Sequence, residues 1–197
     1  MEIKTLTSLD IPQVVQLARQ NFFECIKPFL NDVGMMQAFY EYVDENHLTQ
    51  LMNQRQLYIW GAYENGQLVG VAGMQAEGHI TMLYVQKMYQ RRGIGKELLY
   101  TMRQFSSSEL HHKKITVSAM PAWSWTFFQK NGFQKMNNVN TMMASFVPME
   151  AKSVSVLTYE KQPLKESSIL TIVGVFLTLC TFVAVAVAWK IVFGGAI

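Results

Sequence analysis

The residues best suited to chemistry are Gln90, Arg91, Arg92, Gly93, Ile94 and Gly95, with Lys96 immediately after them. Glycine permits tight turns and lets a ligand approach bare backbone N–H groups. An apolar, strand-like run at 80–85 leads into this stretch, and a helix-like run at 93–105 leads out. A helix start adds unpaired N–H donors and the positive end of a dipole. Together with Arg91, Arg92 and Lys96, the stretch reads as a cradle for a phosphate-bearing ligand. So short a glycine pattern also fits a basic, solvated turn that happens to begin a helix. Two familiar phosphate loops are excluded. A dinucleotide fingerprint needs a third glycine where Leu98 stands, and a P-loop needs glycine at Gln90 and Ser or Thr at Glu97.

The elements that must position this loop follow from periodicity. Residues 1–6 alternate and suit a first strand. Thr7, Ser8 and Asp10 offer caps before Pro12, and Val14, Val15, Leu17, Ala18 and Phe22 recur at helical spacing. Lys27-Pro28 should end that helix, leaving 23–30 as a phenylalanine-rich loop beside a pocket. A second helical region is expected over 31–53, with Met35, Met36, Phe39, Tyr40, Val43 and Leu51 inward. Residues 56–63 and 68–75 read as strands around an Asn65-Gly66 hairpin, and 79–85 as the third strand of a meander. Ile94, Leu98, Leu99 and Met102 give the next helix its apolar side. A strand at 115–119, a short helix at 122–130 ended by Asn131-Gly132, and a last strand at 142–147 closed by Pro148 complete the domain. The order β-α-α-β-β-β-loop-α-β-α-β implies an α+β fold: a sheet with helices on its faces.

Composition sets outer bounds. A chain of 197 residues with net charge +3 has no nucleic-acid-binding tail. Cys25 and Cys180 are isolated, so neither a disulfide framework nor a metal site is expected. Residues 167–189 form 23 positions without a charge, ending at Trp189, and Lys190 follows. About 20 such residues cross a bilayer core, and Trp and Lys suit its interface. Before this run the chain holds 16 basic and 14 acidic residues. Lys152, Lys161 and Lys165 precede it and only Lys190 follows, which favours a single-pass topology with the large domain in the cytoplasm. The opening residues are expected to carry no targeting signal. The expected organisation is a domain at 1–152, a linker or extra strand at 153–166, a transmembrane helix at 167–189 and a tail at 190–197.

Motif and order together resemble the GNAT superfamily of N-acetyltransferases. The family's Q/R-x-x-G-x-G/A motif is satisfied by Gln90 to Gly95. Leu83-Tyr84-Val85 resembles the end of the family's fourth strand, Phe127 to Phe133 its F-Y-x-K-x-G-F segment, and Phe146 to Glu150 its last core strand. The resemblance covers about 1–152 and implies a mixed, mostly antiparallel sheet flanked by helices. It implies acetyl-CoA as co-substrate, without metal, and direct transfer of the acetyl group to a primary amine. The pyrophosphate would sit on the amides of Arg91 to Lys96. The pantetheine arm would pair with Leu83, Tyr84 and Val85, and an amide near Val85 would polarise the thioester.

His79 lies eleven residues before Gln90, where several family members carry a catalytic glutamate. It is the candidate base, although a hydrogen-bonded histidine at a strand end fits equally. Glu77 is the second candidate, and His111 and His112 are placed in a solvated loop. The family's acid, a tyrosine, matches Phe128 near the cofactor, and phenylalanine has no proton to give. Thiolates are good leaving groups, so a dedicated acid is not obligatory; Tyr84, or a water near Ser118, is the candidate substitute. Trp123 and Trp125 either border the channel or pack ordinarily. The expected function is a membrane-tethered N-acetyltransferase. The alternative is a non-catalytic acyl-CoA-binding or interaction module anchored in the membrane, kept open by Phe128.

Overall fold

The computed structural model describes residues 1–30, 33–121, 124–136 and 146–153. The linker beyond residue 153 and the transmembrane and tail assignments lie outside the described residues, as do Trp123 and Cys180. Among the described residues, no helix is long and apolar enough to cross a membrane.

The chain begins with β1 (Glu2–Thr5), then α1 (Ile11–Asn21), α2 (Val33–Tyr42) and α3 (Glu45–Asn53). The meander β2 (Leu57–Glu64), β3 (Gln67–Gln75) and β4 (His79–Val85) follows. After the glycine loop come α4 (Ile94–Ser108), β5 (Lys114–Ala119), α5 (Trp125–Lys130), β6 (Gln134–Lys135) and β7 (Val147–Lys152). The sheet order is β1-β2-β3-β4-β5-β7-β6, antiparallel throughout except for β4 against β5. This is the expected α+β architecture.

Local chemistry accounts for the elements. Asp10 accepts the Thr7 amide at 2.8 Å and its hydroxyl at 2.9 Å ahead of α1. Asn65 and Gly66 both take positive φ, 51° and 79°, as a tight hairpin between β2 and β3 requires. Helices α1–α3 cover one sheet face, where Val14, Leu17, Phe22, Phe39 and Leu48 meet Ile59, Val71 and Met82. Helices α4 and α5 cover the other, where Leu98, Leu99, Met102 and Phe128 meet Ala72, Ile80, Ile115 and Met149. Each large side chain buried this way contributes about 1.5–3 kcal/mol.

Three expectations need correction. The helical region over 31–53 is two helices, because Asp44 caps a new start by accepting the amides of Asn46 and His47, each at 3.0 Å. The supposed loop at 23–30 is wound: a π-helical turn, Phe22–Ile26, runs into a 3₁₀ turn, Lys27–Phe29, that accepts Pro28 early in its turn. Of the last strand expected at 142–147, residues 142–145 lie outside the described residues, and the described strand, Val147–Lys152, runs through Pro148 instead of stopping there. The Pro148 carbonyl accepts from Met136 at 3.1 Å, on the β6 side. Its missing N–H therefore falls beside a strand of two residues, and the β5–β7 ladder is intact.

Candidate functional site

The site begins with a divergence in the sheet. β4 and β5 pair only at His79–Thr116 and Ile80–Val117. Beyond Ile80 the strands part. On its other edge β4 keeps pairing with β3 to Val85, with Thr81 as an extra residue where the register shifts. The Gln86 amide donates to Val69 at 2.9 Å, towards β3. Strand alternation then turns the backbone groups of Leu83 and Val85 the other way, into the gap facing β5. An unpaired strand edge inside a fold is a template for another extended chain.

The gap opens onto the glycine loop. Arg91 has φ 64° and Gly93 φ 88°, so left-handed residues alternate just before α4. Such a chain turns its amides inward and makes an anion-binding hollow. Gly93 is the N-cap of α4. The amides of Lys96 and Glu97 are already spent on the Gly93 carbonyl, at 3.0 and 3.1 Å. The groups left for a phosphate are those of Gly93, Ile94 and Gly95, with Lys96 adding charge through its side chain. Arg92 is drawn sideways, 3.9 Å from Glu64 and stacked over Tyr89.

Gly95 faces a wall that sequence reasoning missed. A Cβ there would stand 3.5 Å from the Phe127 ring and 3.9 Å from Val85. Phe127 is half-buried and packs edge-on against Phe128. Phe128, expected beside the cofactor, is buried, 6 % exposed and in contact with Phe133. Helical spacing turns Phe127 rather than Phe128 towards Gly95, since neighbours on α5 point about 100° apart. Trp125 packs under Lys135, whose Nζ lies 4.0 Å from its ring centre.

The α1–α3 side of the gap carries the titratable groups. His79 sits at the closed end of the divergence, with Nδ1 2.8 Å from Thr116 Oγ1. Burial lowers its pKa below the ordinary imidazole value, so the ring is neutral near pH 7, as a base must be. Ser118 is exposed two residues beyond Thr116, past the last β4–β5 pair. Tyr84 packs edge-on against Phe39, and burial, with the nearby Tyr42 phenol, pushes its pKa strongly upward. A phenol held that high is poorly matched to protonating a thiolate, whose ordinary range is about 8.5. Glu77 is exposed on the turn before β4. Of the two loop histidines, His111 is exposed, but His112 is half-buried with Nδ1 3.3 Å from Ser106 Oγ. Among the described residues, no group of His, Cys, Asp and Glu is arranged to hold a metal ion.

Residues 22–153 match the family model of the acetyltransferase (GNAT) domain. No curated protein sequence matches the chain. Solved structures do. The PaiA N-acetyltransferase from Thermoplasma acidophilum, in complex with coenzyme A, is 18 % identical with a TM-score of 0.65, covering 77 % of this chain and 98 % of that one. A GCN5-related N-acetyltransferase from Rhodopseudomonas palustris is 17 % identical with a TM-score of 0.65, covering 77 % and 94 %. An aminoglycoside 6′-acetyltransferase type Ii is 14 % identical with a TM-score of 0.60, covering 78 % and 98 %. Likeness at this identity establishes the fold, and the family match establishes descent. The chain belongs to the GNAT acetyltransferase family and is an acetyl-CoA-dependent N-acetyltransferase.

Proposed function

We propose that this enzyme lays acetyl-CoA along the open edge of β4 and transfers the acetyl group directly to a primary amine. The backbone of Leu83 and the N–H of Val85, left without a strand partner and ending in the Gly93–Gly95 hollow, carry the reading. The pantetheine arm supplies the missing strand, and the pyrophosphate caps the start of α4. A cleft-facing β4 amide polarises the thioester carbonyl. The amine nitrogen bonds to the acetyl carbon, the C–S bond breaks, and CoA leaves as the thiolate. His79, neutral and held by Thr116, takes the ammonium proton directly or through a water beside Ser118. The thiolate leaves without a dedicated acid, because Phe128 has no proton to give and Tyr84 keeps its own, and it then takes up, through water, the second proton shed by the new amide nitrogen.

The acceptor approaches from the α1–α3 side, where Met35, Met36, Tyr84 and Met120 pack around the core. Residues 167–189 tether the domain to a membrane with residues 1–152 in the cytoplasm. The support for this is the uncharged run and the lysines before it. The full-length chain, held in detergent with acetyl-CoA and a panel of primary amines, is expected to release CoA with at least one amine. Tight acetyl-CoA binding with no release across the panel would contradict the acceptor reading. Protease cleavage of the domain in inside-out but not right-side-out vesicles checks the topology.

A further inference from the structure

One peptide group at the end of β4 is held in an unusual way. The Val85 carbonyl faces the gap, yet no strand takes it. Asn21 Nδ2 donates to it at 2.5 Å and Gln90 Nε2 at 3.0 Å. A carbonyl oxygen has two lone pairs, and both are occupied. Asn21 is 6 % exposed, one of only two buried polar residues among those described. It is the last residue of α1, and the π-helical turn Phe22–Ile26 starts immediately after it. Such turns re-aim a helix and often mark functional sites. The same turn carries Cys25, whose Sγ accepts from Gln90 Nε2 at 3.6 Å. Gln90 opens the glycine loop, so one carbonyl ties together α1, the strand edge and the loop.

The geometry points to Asn21 and Gln90 as positioning residues of the acetyl transfer. By filling the Val85 carbonyl, they fix the tilt of that peptide and leave Val85 only its N–H to offer the pantetheine arm. The arm is thereby held to one register along β4, which sets where its thioester falls relative to the cleft-facing amides. This inference rests on the placement of acetyl-CoA proposed above. It adds that the register is set by side chains from outside the strand.

The test separates the arm from the rest of the cofactor. Binding to the full-length chain in detergent is measured by calorimetry for two ligands. One is acetyl-CoA; the other is its nucleotide alone, adenosine diphosphate carrying CoA's additional ribose phosphate but no pantetheine. Asn21→Ala is expected to weaken acetyl-CoA about five- to tenfold, the value of one lost hydrogen bond. The armless nucleotide should change less than about twofold on the same reasoning. Gln90→Ala, at an exposed position that does not threaten folding, should show the same split with a smaller loss. Equal losses for both ligands, or no loss for acetyl-CoA, would overturn the inference. Gly93→Asp is the reference: it should weaken both ligands, and if it weakens neither, the donor placement itself fails whatever Asn21 shows.

Discussion

The two sides of the divergent sheet are built on different principles. The α4 side is made of backbone: an unpaired strand edge, two left-handed residues and a helix start. The α1–α3 side is made of side chains: stacked Phe22 and Phe39, 3.8 Å apart, with Tyr84 and Met120 packed against the same core, and His79 held by Thr116. Backbone recognises what every acetyl-CoA shares, and few residue types satisfy its geometry. Side chains recognise an acceptor, and many combinations make an apolar wall. The donor half is therefore narrowly constrained and the acceptor half is free to vary. The clamp on the Val85 carbonyl is where the second half reaches across to set the first.

That contrast can be broken at either side. The largest effect is expected on the backbone side. Gly93→Asp places a Cβ at φ 88° and a carboxylate at the proposed pyrophosphate position, and should weaken acetyl-CoA by more than about 100-fold while costing about 1 kcal/mol of strain. Calorimetry and thermal melting check the two parts. On the other side, His79→Ala should lower kcat by about 100-fold with little change in acetyl-CoA affinity. In the parent enzyme the acid limb of the rate profile should lie below the ordinary imidazole range, since burial lowers that pKa. The sign for stability follows: unfolding raises the His79 pKa, so acidification through this range favours the unfolded chain, and stability rises with pH across it. An acid limb unmoved in His79→Ala would remove this residue as the base.

Packing gives the next effects in size. Phe39→Ala, 8 % exposed and stacked on Phe22, should cost about 3 kcal/mol and raise the acceptor KM, leaving acetyl-CoA affinity unchanged. A matching loss of acetyl-CoA affinity would blur the distinction between the two halves. Asp44→Ala removes the α3 cap and should cost about 1 kcal/mol, a fall of about 2–4 °C in Tm.

Legibility followed the same division. Gln90 to Gly95, the meander before it and the apolar face of α4 could be read from residue spacing, because glycine and 3.6-residue periodicity leave few alternatives. The sequence was silent where neighbouring residues compete for one role. Phe127 and Phe128 are chemically identical, and only their angle around α5 decides which one meets Gly95. Asp44 breaks a continuous apolar pattern through two hydrogen bonds that periodicity does not register. Pro148 reads as a terminator until β6, two residues long, makes its missing N–H harmless. Asn21 carried no signal beyond being a polar residue at the end of an apolar face, and its role depends on Val85, distant in sequence.

The central claim is that the open edge of β4 is the acetyl-CoA site, and a structure of the full-length chain with CoA bound tests it most directly. The account predicts the pantetheine arm hydrogen-bonded to the backbone of Leu83 and the N–H of Val85, with the pyrophosphate on the amides of Gly93 to Gly95. CoA bound elsewhere, or β4 and β5 paired along their full length around an empty loop, would contradict it.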